Sequence, residues 1–362
     1  MTVTIFVNII AVFFALLASF SKNPKKSLFV SFFIVFIFLA FRYNFGNDYN
    51  EYHDYFIKVH KASIKDLTNL QEYQSKGLME VGYTWLNRLF DSFYLMVALL
   101  SLFSCYVYYK IIKTYAKPNL IWFSVFIFLF DATIMLIQSS SIRQTIAICL
   151  FLLSLEPLIK RKFLKYSILV LSGCLFHFSA IILFPLYFLI TQNRWNKLIL
   201  ISLVILYFLF AFLGYLFLPF IERIALLYFP RYKEAYMKEI IGNNLGSSLG
   251  FLFWSSIFIY ITWAHNRVKG YDIILSKLTI IAFLLSPISM YLSMFSRILM
   301  YFDPFIILSL PSSVSQLKSQ DLRGLFISVL VLWYLMNFYL FFQDPVWKDQ
   351  FANYQINIIH GR

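Results

Sequence analysis

The residues best suited to chemistry open one stretch, Arg42 to Phe56, which reads RYNFGNDYNEYHDYF. It gathers an Arg, a Gly, two Asp, a Glu, a His and four Tyr in a chain that is otherwise mostly apolar. Gly46, set between Asn44, Asn47 and Asp48, marks a turn that would let Arg42 and Asp48 converge. A carboxylate such as Asp48 on a loop can take a proton or hold a cation, and a guanidinium can hold a phosphate. The stretch follows the apolar run Leu28 to Phe41, so its polar groups begin where a helix would leave a bilayer. Tyr43, Tyr49, Tyr52 and Tyr55 equally suit a solvated loop anchored by an aromatic belt, and residue types alone leave both readings open.

Four further constellations share this character. Glu80 in MEVGYTWLNRLF precedes Gly82 and Tyr83 and starts an amphipathic helix with Trp85, Leu86, Leu89 and Phe90 on one side. A carboxylate there is favoured by the helix dipole. In LIQSSSIRQTIAICLFLLSL, Arg143 and Gln144 follow three Ser and open a long apolar helix, so the guanidinium and the free helix amides would point at one anion. His177 in CLFHFSAIILFPLY is a lone imidazole in a strongly apolar run, with Ser179 beside it to orient the ring. Arg297 in YLSMFSRILMYFDP lies between two apolar runs ahead of Tyr301. Asp131 and Asp303 are the other acids in candidate spans, and either could pair with these Args.

The elements that must position these groups are set by composition. With 60% hydrophobic and 13% charged residues over 362 positions, the chain is an integral membrane protein and not a soluble domain. Apolar segments fall near residues 3–20, 28–41, 92–109, 119–137, 144–159, 166–176, 178–190, 198–218, 249–264, 278–292, 298–311 and 324–342. Several are shorter than the roughly 20 residues of a straight span, so the expected fold is all-α, a polytopic bundle of about 10–12 transmembrane or re-entrant segments. No 20–50-residue repeat interrupts it, and residues 1–362 read as one transmembrane domain. The richness in Phe fits codon bias and lipid-facing positions. Cys105, Cys149 and Cys174 sit singly in apolar runs, without the spacing of a disulfide framework or a metal site.

The net charge of +14 is explained by topology and not by nucleic acid. Placing the first short connection inside puts Lys22, Lys25, Lys26, Lys110, Lys113, Lys117, Lys160, Arg161, Lys162, Lys165, Arg194, Lys197, Arg267, Lys269, Lys277, Lys318 and Arg323 in or beside cytoplasmic connections. That is more than half of the 31 basic residues, accompanied by only Glu156, Asp272 and Asp321, as the positive-inside rule expects. The scheme requires Tyr166 to Ile190 to be a hairpin or re-entrant pair turning near His177, since one straight span would put one of its basic flanks outside. The turn's backbone must then be satisfied by protein or water. Two regions, 42–91 and 219–248, fall outside. The second alternates charge with Ile224, Leu227, Tyr228, Ala235 and Tyr236, as a basic interfacial helix would.

Five strings, the R-x-x-x-G-x-D-Y element at Arg42, E-x-GY at Glu80, S-x-RQ at Arg143, H-x-SA at His177 and the late Arg297, resemble in type and order the EpsG/Wzy family of bacterial polysaccharide polymerases. The resemblance implies a GT-C-like membrane glycosyltransferase in the bacterial inner membrane, working on its outer, periplasmic face. It would polymerise oligosaccharide repeat units linked to undecaprenyl pyrophosphate, as in O-antigen and lipopolysaccharide assembly, with a chain-length regulator and a flippase as partners. It implies Asp48, Glu80 or His177 as the catalytic base that takes the acceptor hydroxyl proton, without choosing among the three, Arg42, Arg143, Gln144 and Arg297 on pyrophosphate, and Gly46, Tyr49, Tyr83, Ser179 and Tyr301 in support. The leaving group supplies the energy, so no nucleotide cofactor is needed, and no P-loop or dinucleotide fingerprint occurs; no metal ligands are assigned. Two other classes fit the same features, a lipid-linked oligosaccharide flippase and a membrane sugar O-acyltransferase. On the topology derived above, a cysteine at Asn50 should react with an impermeant thiol reagent in intact cells and one at Lys162 should not. The opposite pattern would overturn the orientation.

Overall fold

The computed structural model describes residues 1–68, 79–192, 194–228, 248–291 and 293–357. The chain divides into two compact units, one of residues 1–187 with 324–362 and one of residues 188–323. Among the described residues seven helices are long and apolar enough to cross a membrane: Thr2–Phe20, Phe93–Tyr115, Ile142–Ile159, Lys197–Gly214, Asp272–Tyr291, Phe295–Val314 and Gln320–Phe341. A sharply bent pair can make an eighth. The protein is an all-α polytopic membrane bundle.

In the first unit, helices α1 (Thr2–Phe20) and α2 (Pro24–Ala40) pack together. Helix α1 buries Thr4, Asn8, Ala11, Ala15 and Ala18 and turns Phe6, Ile9, Phe13 and Leu17 outward. Lipid is as apolar as Phe, so large side chains gain nothing by facing inward, while small and polar ones allow close approach and interhelical hydrogen bonds. Asn8 Nδ2 accordingly donates to the Leu129 carbonyl at 2.8 Å and Ser31 Oγ to that of Ala11 at 2.7 Å.

The chain leaves α2 through a two-residue strand, β1 (Arg42–Tyr43), and enters α3 (Tyr49–Lys61) and then α4 (Val81–Leu89). Helix α5 (Phe93–Tyr115) follows, its first turn capped by Ser92, and then α6 (Ile121–Phe130). After α6 the chain bends by 67° into a short helical segment ending at Ser140. Asp131 holds that break, its Oδ1 accepting from the amides of Thr133 at 3.0 Å and Ile134 at 3.4 Å. Its carboxylate therefore serves the backbone and not an Arg. The bend delivers Ser139, Ser140 and Ser141 to the start of the next span, Ile142–Ile159, whose first twelve residues form α7 (Ile142–Leu153).

The region after that span is a hairpin. Helix α8 (Phe163–Cys174) ends in a turn, and the chain returns through a 3-10 segment, Phe178–Ile182, into α9 (Leu183–Thr191). The Phe163 ring lies 5.0 Å from that of Tyr187, and Tyr166 Oη donates to the Leu183 carbonyl at 2.5 Å. The turn's backbone is satisfied by protein. His177 N donates to Gly173 O at 3.0 Å, and Leu175 O accepts from Gly82 N of α4 at 2.8 Å.

In the second unit run α10 (Lys197–Tyr228), α11 (Ser248–Ala264), α12 (Asp272–Tyr291), α13 (Ser293–Phe302) and α14 (Ile306–Val314). Lys277 is fully buried there and donates to the carbonyls of Ile190 and Gln192 at 3.1 and 2.9 Å, a cation on the carbonyl end of a helix. Of the basic interfacial helix expected over 219–248, the part up to Tyr228 continues α10 and residues 229–247 lie outside the described residues.

The chain then returns to the first unit through α15 (Gln320–Phe341) and α16 (Pro345–Phe351), the latter capped by Asp344 on the Val346 amide at 2.8 Å. Strand β2 (Gln355–Ile356) pairs antiparallel with β1 in the register Arg42 to Ile356 and Tyr43 to Gln355. Tyr354 stacks on Phe38 at 4.5 Å and donates to its carbonyl at 2.7 Å. The stretch from Arg42 to Gly46 is thus strapped from the far end of the sequence.

Phe163 and Tyr187 are 24 residues apart and would sit about 36 Å apart on one straight helix. The double variant Phe163→Cys, Tyr187→Cys should therefore cross-link on mild oxidation, read as a mobility shift on a gel. A pair that stays uncross-linked while each single cysteine is reactive would show a continuous span.

Candidate functional site

The expected residues of the first unit cluster at one end of its spans, and Glu80 is their centre. It is the N-cap residue of α4, immediately outside the first helical turn. Its Oε2 accepts from Arg143 Nη1, and His177 Nδ1 stands 3.6 Å from Oε1. The two acidic oxygens are thus divided between a guanidinium and an imidazole.

Three elements remote in sequence make that meeting possible. Arg143 sits in the first turn of α7, just after the bend that Asp131 caps. His177 sits at the hairpin turn between α8 and its returning strand of helix. Gly82 joins the two to α4, because its amide bonds Leu175 O and its α-carbon packs against the turn. A Cβ at Gly82 would meet Leu175 O at 2.7 Å and Leu175 Cβ at 2.9 Å, too close for any side chain. The spacing from Glu80 to Gly82 therefore sets the carboxylate beside the imidazole.

Aromatic rings pack beneath this cluster. Tyr83 is fully buried, its ring 5.5 Å from Tyr52 and stacked 5.8 Å from Tyr55. Tyr55 Oη shares a 2.5 Å hydrogen bond with Thr84 Oγ1 and accepts from the Met79 amide at 2.9 Å. The Arg143 guanidinium lies over the Tyr52 ring at 5.8 Å. The buried face of α4 is Tyr83, Thr84 and Asn87; of the apolar side expected from Trp85, Leu86, Leu89 and Phe90, Leu86 and Phe90 pack partly buried against the same core, while Leu89 is 76% exposed.

Burial alone would raise the Glu80 carboxyl. The His177 ring and the Arg143 charge outweigh it and hold the group down at about 2. Exposure is graded across the three, with side chains 22% exposed for Arg143, 17% for Glu80 and 8% for His177. Arg143 Nε has no hydrogen-bond partner among the described residues, so the guanidinium is not saturated by Glu80.

The chain matches the EpsG family model over residues 25–356. It belongs to the EpsG family. No curated protein and no solved structure matches it. As an EpsG-family protein it is a multi-pass membrane protein of polysaccharide biosynthesis.

The opening stretch of this EpsG protein lies nearby but is built differently from what its glycine turn suggested. Arg42 turns inward, donating to Leu39 O at 2.7 Å, Ser101 Oγ at 3.0 Å and Ser139 O at 2.9 Å. Burial lowers its guanidinium to about 10, still charged near neutrality. It clamps α2, α5 and the bent segment, and it does not pair with Asp48. Asp48 instead stands at the residue before α3 without a capping hydrogen bond from its side chain, with its amide on Ser140 Oγ at 3.1 Å and its Oδ1 accepting from Asn47 Nδ2 at 2.7 Å. Gly46 has φ of +117°, and a Cβ there would lie 2.6 Å from Ser140 Oγ, so both backbone and space demand glycine. Tyr49 Oη donates to Arg42 O at 3.3 Å.

Gln144 is buried and Ser179 half-buried, the latter in the 3-10 segment two residues past His177. Arg297, exposed on α13, and the buried Tyr301 belong to the other unit. The residues that sequence reasoning passed over are Ser139 and Ser140 as a polar platform and Gln350 to Asn357 as a strap, with Gln350 O on Gly46 N at 3.0 Å. Only the serine triplet carried a local signal.

A carboxyl held below its unfolded value stabilises the fold above the unfolded pKa, and that contribution fades as pH falls toward the folded one. Wild type and Glu80→Gln should therefore differ in thermal stability in detergent at pH 6, by on the order of 2 kcal/mol for the charge left unpaired on Arg143. The difference should shrink as pH falls from about 4.5 toward 2. A gap that is constant over this window would remove the ion pair as its origin.

Proposed function

We propose that this protein is a glycosyltransferase that polymerises lipid-linked oligosaccharide repeat units. Its glycan donor leaves undecaprenyl pyrophosphate, and its acceptor is the terminal sugar of a second lipid-linked unit, on the outer face of the inner membrane. Membership of the EpsG family supports the class of reaction. The observation that carries the mechanism is the Glu80 carboxylate shared between Arg143 and His177.

In this reading Arg143 meets the pyrophosphate. A partly exposed polar cluster at the end of a membrane span is where the diphosphate of a polyprenyl lipid would arrive, and a guanidinium can take two of its oxygens at once. Its Nε is buried, so the diphosphate would engage the terminal nitrogens of the guanidinium in exchange for Glu80. His177 and Arg143 together hold the Glu80 carboxyl low, and as Arg143 turns to the diphosphate one of those two influences is withdrawn, so the carboxyl rises toward the range in which it can accept a proton. Glu80, better exposed than His177, takes the acceptor hydroxyl proton as that oxygen attacks the anomeric carbon. The C–O bond to pyrophosphate breaks, and the guanidinium neutralises the developing charge. His177, buried behind, keeps the carboxylate aimed. Coupling base strength to donor binding would also spare the enzyme idle hydrolysis. Asp48 and Arg42 hold the surrounding loop, and Arg297 of the second unit is a further candidate for the diphosphate.

Surface polysaccharide from a deletion strain should run as a single-repeat product, since the acceptor unit still reaches the outer face. Loss of all product would favour the flippase class. Complementation with Glu80→Gln should leave the single-repeat product, cutting extension at least about a hundredfold as loss of a general base does. Arg143→Lys, which keeps charge but loses the two-pronged donor, should shorten chains strongly at unchanged membrane abundance. Asp48→Asn should retain most extension. Long chains from Glu80→Gln would remove it as the base.

A further inference from the structure

The spans that carry the Glu80 cluster at one end carry a second, unrelated constellation at the other. Arg143 and Lys160 are 17 residues apart along the span Ile142–Ile159 and its cap, or about 25 Å of helix. Beside Lys160 opens a pocket of about 440 Å³ lined by Lys110, Glu156, Lys160, Lys162 and Lys165. These come from three separate helical segments, the end of α5, the end of the Ile142–Ile159 span and the start of α8.

The pocket has an excess of cations that its one acid does not balance. Glu156 Oε1 accepts from Lys160 at 2.6 Å. Lys110, Lys162 and Lys165 then share one concavity with no second carboxylate in its lining. Lys160, Lys162 and Lys165 are exposed and Lys110 is half-buried, so their charges stay within reach of a ligand at the membrane surface. Here the chain reversal folds them together. Arg161 adopts a left-handed φ of +54°, and the amides of Arg161 and Lys162 bond Leu158 O at 3.1 Å and Pro157 O at 2.8 Å. This is the tight helix stop that glycine usually makes, and it sets Lys160 and Lys162 on the same pocket from either side of Arg161.

The remaining wall is apolar, with Leu153 and Leu169 facing the cavity. On the same helix Leu164 is 72% and Ile168 56% exposed, which in a membrane protein is a lipid-facing surface. A ligand for this site must therefore join a phosphate-like anion to an apolar body lying along α8. We propose that the pocket binds the phosphate headgroup of an anionic phospholipid from the leaflet at that end of the spans, its acyl chains running over Leu164 and Ile168. Basic pockets between transmembrane helices are suited to this. On the orientation derived from charge, that leaflet is the cytoplasmic one. The lipid would fix the α7–α8 junction, and through it the hairpin whose far turn carries His177.

The test uses purified full-length protein and native mass spectrometry after exchange into detergent with phosphatidylglycerol or phosphatidylcholine. Wild type should retain phosphatidylglycerol at least about tenfold more than phosphatidylcholine. The variant Lys110→Gln, Lys162→Gln, Lys165→Gln should lose that preference with an unchanged gel-filtration profile. The variant Lys22→Gln, Lys25→Gln, Lys26→Gln removes the same charge elsewhere and should keep it. Equal loss in both variants would show general surface attraction and overturn the site. Displacement of phosphatidylglycerol from wild type by millimolar inorganic phosphate would overturn the lipid assignment in favour of a free phosphate.

Discussion

The contact on which the rest depends is the sharing of the Glu80 carboxylate between Arg143 and His177. Charges at the edge of a membrane are held in a medium that solvates them poorly, so each must be compensated by another brought to within a few ångströms. Those three residues come from α4, α7 and the α8–α9 turn, and no two are neighbours in sequence. Much of the first unit can be understood as the means of keeping them together. Asp131 bends the chain so that α7 starts at the right place. Gly82 lets α4 touch the hairpin turn. The buried tyrosines fill the space beneath without introducing a further charge.

A second constraint acts through the backbone. A chain that turns inside or beside a bilayer exposes amides and carbonyls that water cannot reach, and each must find a protein partner. The hairpin turn solves this by donating His177 N to Gly173 O and offering Leu175 O to Gly82 N. The same hydrogen bond that satisfies the turn therefore places the acid beside the imidazole. Satisfying the backbone and building the site are one structural event, which gives glycine at 82 two reasons to be there. Arg42 plays the equivalent part on the other side, donating to two carbonyls at the end of α2 and in the bent segment.

What could be read in the sequence follows from the range of each interaction. The spans were legible because their apolar runs are local, and the one-sided distribution of lysines called for a hairpin or re-entrant pair over Tyr166 to Ile190, turning near His177. The polar strings were legible because Arg143, Glu80 and His177 are conspicuous in an apolar context. The partnership among them was not, since it depends on a 67° bend and on a glycine contact 93 residues from its partner Leu175. Arg42 and Asp48 show the opposite failure. A turn at Gly46 does bring their backbones near, but Leu39, Ser101 and Ser139 offer the guanidinium a buried acceptor set that a loop carboxylate does not match. The strap of residues 350–357 has no local signature, because a two-residue strand is defined only by the strand it meets.

Electrostatics gives these arrangements a common logic across the thickness of the membrane. At the Glu80 end the cation is met by a carboxylate of the protein, so under the proposed function an arriving diphosphate would have to compete with Glu80 for Arg143. At the Lys160 end one carboxylate faces four lysines, so the protein's own charges do not close the balance and an external anion is favoured. The first arrangement suits a ligand that binds, reacts and leaves, because the resting pair returns once the product has gone. The second suits a ligand that stays, because nothing in the pocket replaces it. One span, Ile142–Ile159, joins both ends. A resident lipid that immobilises its basic end would limit how far Arg143 can swing at the other, and in the proposed mechanism that swing from carboxylate to diphosphate would release Glu80 to act.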